Sequence, residues 1–188
     1  MPATRSASGG LRELTVQFGR PGRLEAIVLR PGRRAPADWA DEALAEPGRG
    51  LRGDHRADKV RTGDQARRRE LTLLQAEHLP VIASLLNRDE IDARLLRRNL
   101  VIQGLNLAAL APLFPDQTLL CRIGSEVVIE ATGPCAPCSR MEAVLGSGGY
   151  NALRGHGGIT GTHRARGWLR PGDTVTVLDA AVRQSRAA

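Results

Sequence analysis

The chain has 188 residues, 41% hydrophobic and 25% charged, which is the size and apolar content of one globular domain with room for a core. Its longest apolar stretches, such as Leu105–Leu113, are too short and interrupted to cross a bilayer, and no apolar leader follows Met1. Three cysteines without disulfide-framework spacing fit a reducing cytoplasm, so the expected location is cytoplasmic with no membrane partner. The net charge of +7 is almost all arginine, Lys59 being the single lysine. Compositional bias toward arginine accounts for most of that excess, and anion recognition is its functional reading. With 3% aromatic residues and no helix-turn-helix or finger pattern, nucleic acid is disfavoured as a partner.

In chain order, residues 1–20 read as a flexible N-terminal segment, 21–180 as one domain and 181–188 as a flexible tail. Leu24–Leu29 is a predicted strand between Pro21-Gly22 and Pro31-Gly32. Residues 33–50, broken by Pro36, Pro47 and Gly48, read as a long connection with at most a short helix around Trp39–Leu44. Glu70–Leu74 is strand-like. The helical period that follows, to Leu86, is expected to start near Leu79 because Pro80 belongs in a first turn. Asn99–Gln103 is another strand, and Thr118–Ile123 with Glu126–Ala131 forms a hairpin about Gly124-Ser125. Ser139 is expected to cap a short helix that stops at Gly146. Gly155–Gly161 is glycine-rich, and Ala165–Leu169 and Thr174–Leu178 flank the turn Arg170-Pro171-Gly172-Asp173. Short strands at irregular spacing with few, brief helices predict a mainly β (α+β) single domain centred on a β-barrel, and disfavour a parallel α/β fold.

Chemistry concentrates on Gly133–Met141, where Pro134 and Pro137 stiffen a turn carrying Cys135 and Cys138 beside Arg140. A nearby guanidinium favours a thiolate, which suits a sulfur-handling or soft-metal site. A zinc site would need His156 and His163 to complete it, and a thioredoxin-like pair would need a βαβ setting. A purely structural role stays open as well. Cys121, in an alternating apolar strand, reads as core. Further candidates are Gly53, Asp54 and His55 in Gly50–Asp58, the run Arg97-Arg98-Asn99 ahead of a strand, and Gly157, whose loop could cradle an anion. Asp54 capping local amides, and Arg97 and Arg98 as surface charge, are the plain alternatives.

In sequence, Gly-Arg-Leu-Glu-Ala-Ile at 22–27 is followed by Gly-Leu-Arg-Gly-Asp-His at 50–55 and Leu-Thr-Leu-Leu-Gln-Ala-Glu-His at 71–78. Then come Arg-Arg-Asn-Leu-Val-Ile-Gln-Gly at 97–104, Pro-Cys-Ser-Arg-Met at 137–141 and Arg-Pro-Gly-Asp at 170–173. This order resembles the MOSC domain family, named after the C-terminal domain of molybdenum-cofactor sulfurase, over roughly Arg23 to Leu178. The resemblance implies a MOSC-type β-barrel and one functional cysteine. Its Pro-Cys-x-Arg pattern falls on Cys138, with Cys135 extra. Cys138 is also preferred because it directly precedes the expected helix, whose N-terminal dipole favours a thiolate.

Members of that family are taken either to carry sulfur as a cysteine persulfide toward molybdenum enzymes or to bind molybdenum cofactor, and some resemble reductases of N-hydroxylated compounds such as hydroxylaminopurines. The expected function is thus a cofactor-binding or sulfur-carrying protein. Cys138 would be the metal ligand or persulfide; Arg140, Arg97 and Arg98 would neutralise the anionic cofactor; Asn99 and amides near Gly53 and Gly157 would orient the pterin; Asp54 and His55 would shuttle a proton or hold the pocket. The alternatives are a molybdenum reductase and a small zinc or redox Cys-x-x-Cys module. No pyridoxal-phosphate desulfurase domain and no ferredoxin-type cysteine cluster is present in the sequence. Pyridoxal phosphate would therefore enter only through a partner cysteine desulfurase, and electrons only through an electron-transfer protein.

Overall fold

A computed structural model describes residues 10–57, 69–111 and 113–179. The first half of the chain forms α1 (Leu11–Thr15), β1 (Gly22–Leu29), β2 (Asp38–Ala40), β3 (Ala43–Glu46), β4 (Gly50–Leu51), β5 (Leu71–Gln75), α2 (His78–Leu85) and α3 (Ala93–Leu96). The second forms β6 (Leu100–Gln103), a 3₁₀ turn (Leu107–Leu110), β7 (Leu119–Ile123), β8 (Val127–Pro134), α4 (Ser139–Leu145), α5 (Gly149–Ala152), β9 (Ile159–Ala165), β10 (Gly167–Leu169) and β11 (Thr174–Asp179).

Seven strands close into a barrel in the order β1-β6-β5-β9-β8-β7-β11, with β11 returning to β1 through Gly22↔Val175 and Arg23↔Thr174. Neighbours are antiparallel except β5 and β6, a parallel pair that needs a crossover, supplied by α2 and α3. Alternation puts one face of each strand inside. Leu24, Leu71, Leu73, Leu100, Ile102, Cys121, Ile123, Ile129 and Val175 fill the interior. Helices α2 to α5 cover the outer face of β5 and β6, burying Ile82, Ala83, Leu96, Met141, Leu145 and Leu153 against Leu74 and Val101. A small sheet, β10-β3-β4, adds Ala43, Ala45, Leu51 and Leu169 to the barrel core.

The barrel-centred β fold is as the sequence predicts, and so are the β7–β8 hairpin, the late start of α2 and the stop at Gly146. Three local readings are corrected. The short helix expected around Trp39–Leu44 is instead β2 and β3. Trp39 pairs with Val28 of β1 and Leu44 with Trp168 of β10, and partner strands override the helical preference of Ala and Leu. Cys138, with extended backbone, is the N-cap of α4, and Ser139 is its first helical residue. The long connection expected over 33–50 is shortened to the turns between β2, β3 and β4, and the glycine-rich stretch 155–161 runs into β9 at Ile159.

Within the segment expected to be flexible, α1 is tied down by Arg12 to Asp116 (2.7 Å) and by Thr15 to Gln117 (3.1 Å), and Phe18 packs on the barrel core. Residues 1–9 and 181–188, parts of the expected flexible ends, lie outside the described residues, as do Ala180 and Lys59. No helix among the described residues is long and apolar enough to cross a membrane.

Candidate functional site

The cysteine turn leaves β8 at Pro134 and enters α4 at Ser139. Cys135 is anchored: its amide donates to the Gly158 carbonyl at 2.8 Å, its side chain is buried, and its Sγ accepts from Arg69 Nη2 at 3.0 Å. Cys121 is sealed in the barrel, where burial pushes its thiol up to about 12. Cys138 is the one exposed cysteine of the three.

Arg98 fastens the back of this turn. Its Nε donates to the Gly157 carbonyl (2.7 Å), Nη1 to Leu96 (3.1 Å) and Nη2 to the Cys135 carbonyl (3.3 Å). Burial lowers its pKa, with Cys135 and Cys138 opposing that effect and Arg69 adding to it. Gly157 leaves no room for a side chain, since a Cβ there would run into the Cys135 carbonyl oxygen. Gly158 has φ +80°, and a Cβ on it would collide with the Leu73 carbonyl oxygen. The glycine-rich loop therefore serves the turn through close backbone approach, and Gly157 takes part through its carbonyl.

Asp54, Asn99 and His55 gather around a residue that sequence reasoning missed, Arg30. Asp54 grips Arg30 bidentately (Oδ2 to Nε 2.7 Å, Oδ1 to Nη2 3.0 Å), both side chains being buried. Asn99 Oδ1 accepts from Arg30 Nη2 (3.0 Å) and its Nδ2 donates to Asp54 Oδ2 (3.0 Å), while Thr72 closes the network from β5. His55 Nδ1 lies 3.1 Å from the Arg30 carbonyl, and the exposed Gly53 supplies the turn before Asp54 with φ +86°. Burial by itself would raise the Asp54 pKa. The Arg30 hydrogen bonds and charge, the Arg56 amide and Asn99 outweigh it, and the net shift is downward. A strand-end arginine beside Pro31-Gly32 carries no signal of this role in isolation.

Arg97 and Arg140 meet in a different place. A cavity of about 410 Å³ is lined by Arg34, Arg94, Arg97 and Arg140 against one carboxylate, Asp92. Asp92 is already bound to Arg94 at 2.7 Å. Arg97 is a left-handed C-cap of α3 (φ 57°), and its guanidinium donates to the carbonyls of Gly32 (2.9 Å) and Ala35. Burial, Arg140 and Arg30 lower its pKa. The Nε of Arg140 is buried and has no hydrogen-bond partner among the described residues. Arg140 stands two residues after Cys138 in the first turn of α4. The exposed thiol at the N-cap of α4 and an arginine in its first turn that lines an under-neutralised cavity thus lie two residues apart, a soft ligand and an anion-binding group close in sequence.

The expected site residues therefore divide in two. Arg140 and Arg97 line the arginine cavity, which Cys138 does not line although it precedes Arg140 by two residues, whereas Asp54, Asn99 and Arg98 are buried in the framework and His55 is half-buried beside Asp54. The ligands a zinc reading would need are not gathered: His163 is buried against Glu70 (3.0 Å) and His156 packs edge to face with His78. Among the described residues no group of three or more His, Cys, Asp or Glu side chains is placed to hold a metal ion.

The sequence profile of the MOSC domain matches residues 47–176, more than half of the chain. The chain belongs to the MOSC domain family. The YuaD protein from Bacillus subtilis superimposes with a TM-score of 0.70 at 18% identity, over 84% of this chain and 96% of that one. YiiM from Geobacillus stearothermophilus (TM-score 0.62, 13% identity, 84% and 75% coverage) and YiiM from Escherichia coli (0.58, 17%, 83% and 69%) share the same fold. No curated protein sequence matches the chain closely. This MOSC domain thus carries a buried cysteine, Cys135, three residues before the exposed Cys138.

Proposed function

We propose that this MOSC domain acts in the cytoplasm on molybdenum cofactor, binding it or carrying sulfur as a Cys138 persulfide for delivery to molybdenum enzymes. One observation carries the reading: the exposed Cys138 stands two residues before Arg140, whose buried Nε faces no partner among the described residues in a pocket of four arginines. The donor set fits the group. A thiolate suits a soft dithiolene-bound metal, and guanidinium forks suit the phosphate of the pterin. The cofactor, when bound, supplies a redox-active soft metal centre.

In this reading Cys138 holds the transferable sulfur or the metal, Arg140 and Arg97 take the anionic end, and Arg34 and Arg94 set the field of the pocket. Arg98, Asn99, Asp54, His55, Gly53 and Gly157 hold the cysteine turn and the strand ends in place. A partner cysteine desulfurase, with its own pyridoxal phosphate, would load the sulfur onto Cys138. The Cys138 thiolate is the leaving group when that sulfur passes on.

A second reading, reduction of an N-hydroxylated substrate with electrons from an electron-transfer protein, draws on a larger cavity of about 690 Å³. It shares Asp92 with the arginine pocket and is walled by Trp39, Glu25, Glu77 and Glu90, so a substrate has room beside the anion site.

The test is the molybdenum and pterin content of protein from a host that makes the cofactor, compared with Cys138→Ala. Stoichiometric molybdenum and pterin, lost in the variant, support cofactor binding. Transferable sulfur without molybdenum supports persulfide delivery. Neither metal nor sulfur on Cys138 overturns both readings.

A further inference from the structure

Two histidines outside the cofactor reading meet where α2 abuts the glycine-rich loop. His78 opens α2 and His156 directly precedes Gly157. Their rings stand edge to face, centroids 5.0 Å apart and planes at 77°. The Nδ1 of each ring is buried and has no hydrogen-bond partner among the described residues. A single buried, unpaired ring nitrogen already costs free energy, and here two of them occur side by side. An edge-to-face aromatic contact requires neither nitrogen to be stripped of water. Two imidazoles bound to one tetrahedral ion through nitrogens at about 2.0–2.1 Å bring their centroids about 5 Å apart. The observed separation matches that spacing and also lies within the range of an ordinary edge-to-face pair, so the two unpaired nitrogens carry the argument.

We propose that His78 and His156 form a binding site for a borderline divalent transition-metal ion, of the Zn²⁺, Co²⁺ or Ni²⁺ class, ligated by the two Nδ1 atoms. Among the described residues no third His, Cys, Asp or Glu joins them, so water fills the remaining positions. The affinity therefore lies below that of a four-ligand structural zinc site. Bound there, the ion ties the first turn of α2 to the loop whose Gly157 carbonyl holds Arg98. It would stiffen the backing of the cysteine turn without ligating Cys138. The site is separate from the arginine pocket and does not depend on the molybdenum reading.

The experiment is a Co²⁺ titration of the metal-stripped full chain, followed by visible absorption. The expected result is one Co²⁺ per chain with ligand-field bands and no thiolate-to-metal charge-transfer band. His78→Ala and His156→Ala should each weaken binding about tenfold or more. His78→Gln and His156→Asn, which keep a polar side chain, stand in if the alanine variants misfold. Zn²⁺ should raise the Tm of the wild type and leave that of the variants unmoved. Absence of saturable Co²⁺ uptake, uptake that both substitutions leave unchanged, or a thiolate band placing the ion on the cysteine turn would each overturn the proposal.

Discussion

At the scale of single residues, exposure sorts the three cysteines. Iodoacetamide should label Cys138 first, with Cys135 and Cys121 reacting only on unfolding, as peptide mass spectrometry would read. Arg140→Gln should weaken binding of an anionic pterin phosphate about tenfold and flatten its salt dependence, since it removes a charge and a donor that has no partner among the described residues. Asp54→Ala belongs to the framework instead. It leaves the buried Arg30 guanidinium uncompensated and should cost about 3–5 kcal/mol in urea unfolding. The types and positions of these residues were legible in the sequence, but their division of labour was not. Arg97 and Arg98 are adjacent and chemically identical, yet a left-handed cap turns one toward the cavity while the other is buried among carbonyls. Arg30 gave no signal, because its meaning comes from Asp54 and Asn99, which only the closed barrel brings to it.

At the scale of elements, the strands with a strong apolar period and the helix with a clear start and stop were legible: β1, β5, β6, the β7–β8 hairpin, α2 and α4. The short pieces β2, β3, β4 and α3 were not, because they carry no apolar run of their own that marks an element and take their conformation from their neighbours. The glycine-rich loop shows how tightly one element depends on another. Gly158→Ala would force a side chain against β5 at a left-handed backbone position, with an expected loss of about 3 kcal/mol or failure to accumulate folded protein. Thermal unfolding of that variant, beside a substitution at Gly155, where a Cβ meets no atom within 4 Å, separates the collision from the loss of a glycine as such.

At the scale of the whole molecule, acid stability follows from two buried carboxylates. Asp54 and Glu70 both have pKa values below their usual range, Asp54 through Arg30 and Glu70 through hydrogen bonds from His163 and Gly48 that outweigh burial. A carboxyl whose folded pKa lies below its unfolded value stabilises the fold above the unfolded pKa and ceases to do so as pH falls through the folded one. The Tm should therefore decline as pH drops below about 4, the unfolded range of Asp and Glu. His78 acts earlier, because its lowered pKa favours the neutral ring. Its contribution is complete above the unfolded value of about 6.5 and is eroded as pH falls below it. A Tm profile flat from pH 7 to 3 would contradict both assignments.

The barrel seam sets a condition on how the protein is made. β1 is paired with β11 at only two positions, and β11 is the last strand among the described residues. While a nascent chain is still on the ribosome, the edge of β7 and the first half of one edge of β1 have no partner until Thr174–Asp179 emerges. By then the Arg30–Asp54–Asn99 hub has all its residues available. Until β9 emerges the strands lie in two separate pieces, β2-β1-β6-β5 and β7-β8, and from then until β11 they form one open sheet, so bare edges are available as templates for another nascent chain throughout. Crowded synthesis, rather than any weakness of the finished core, is where this molecule is most exposed to mispairing.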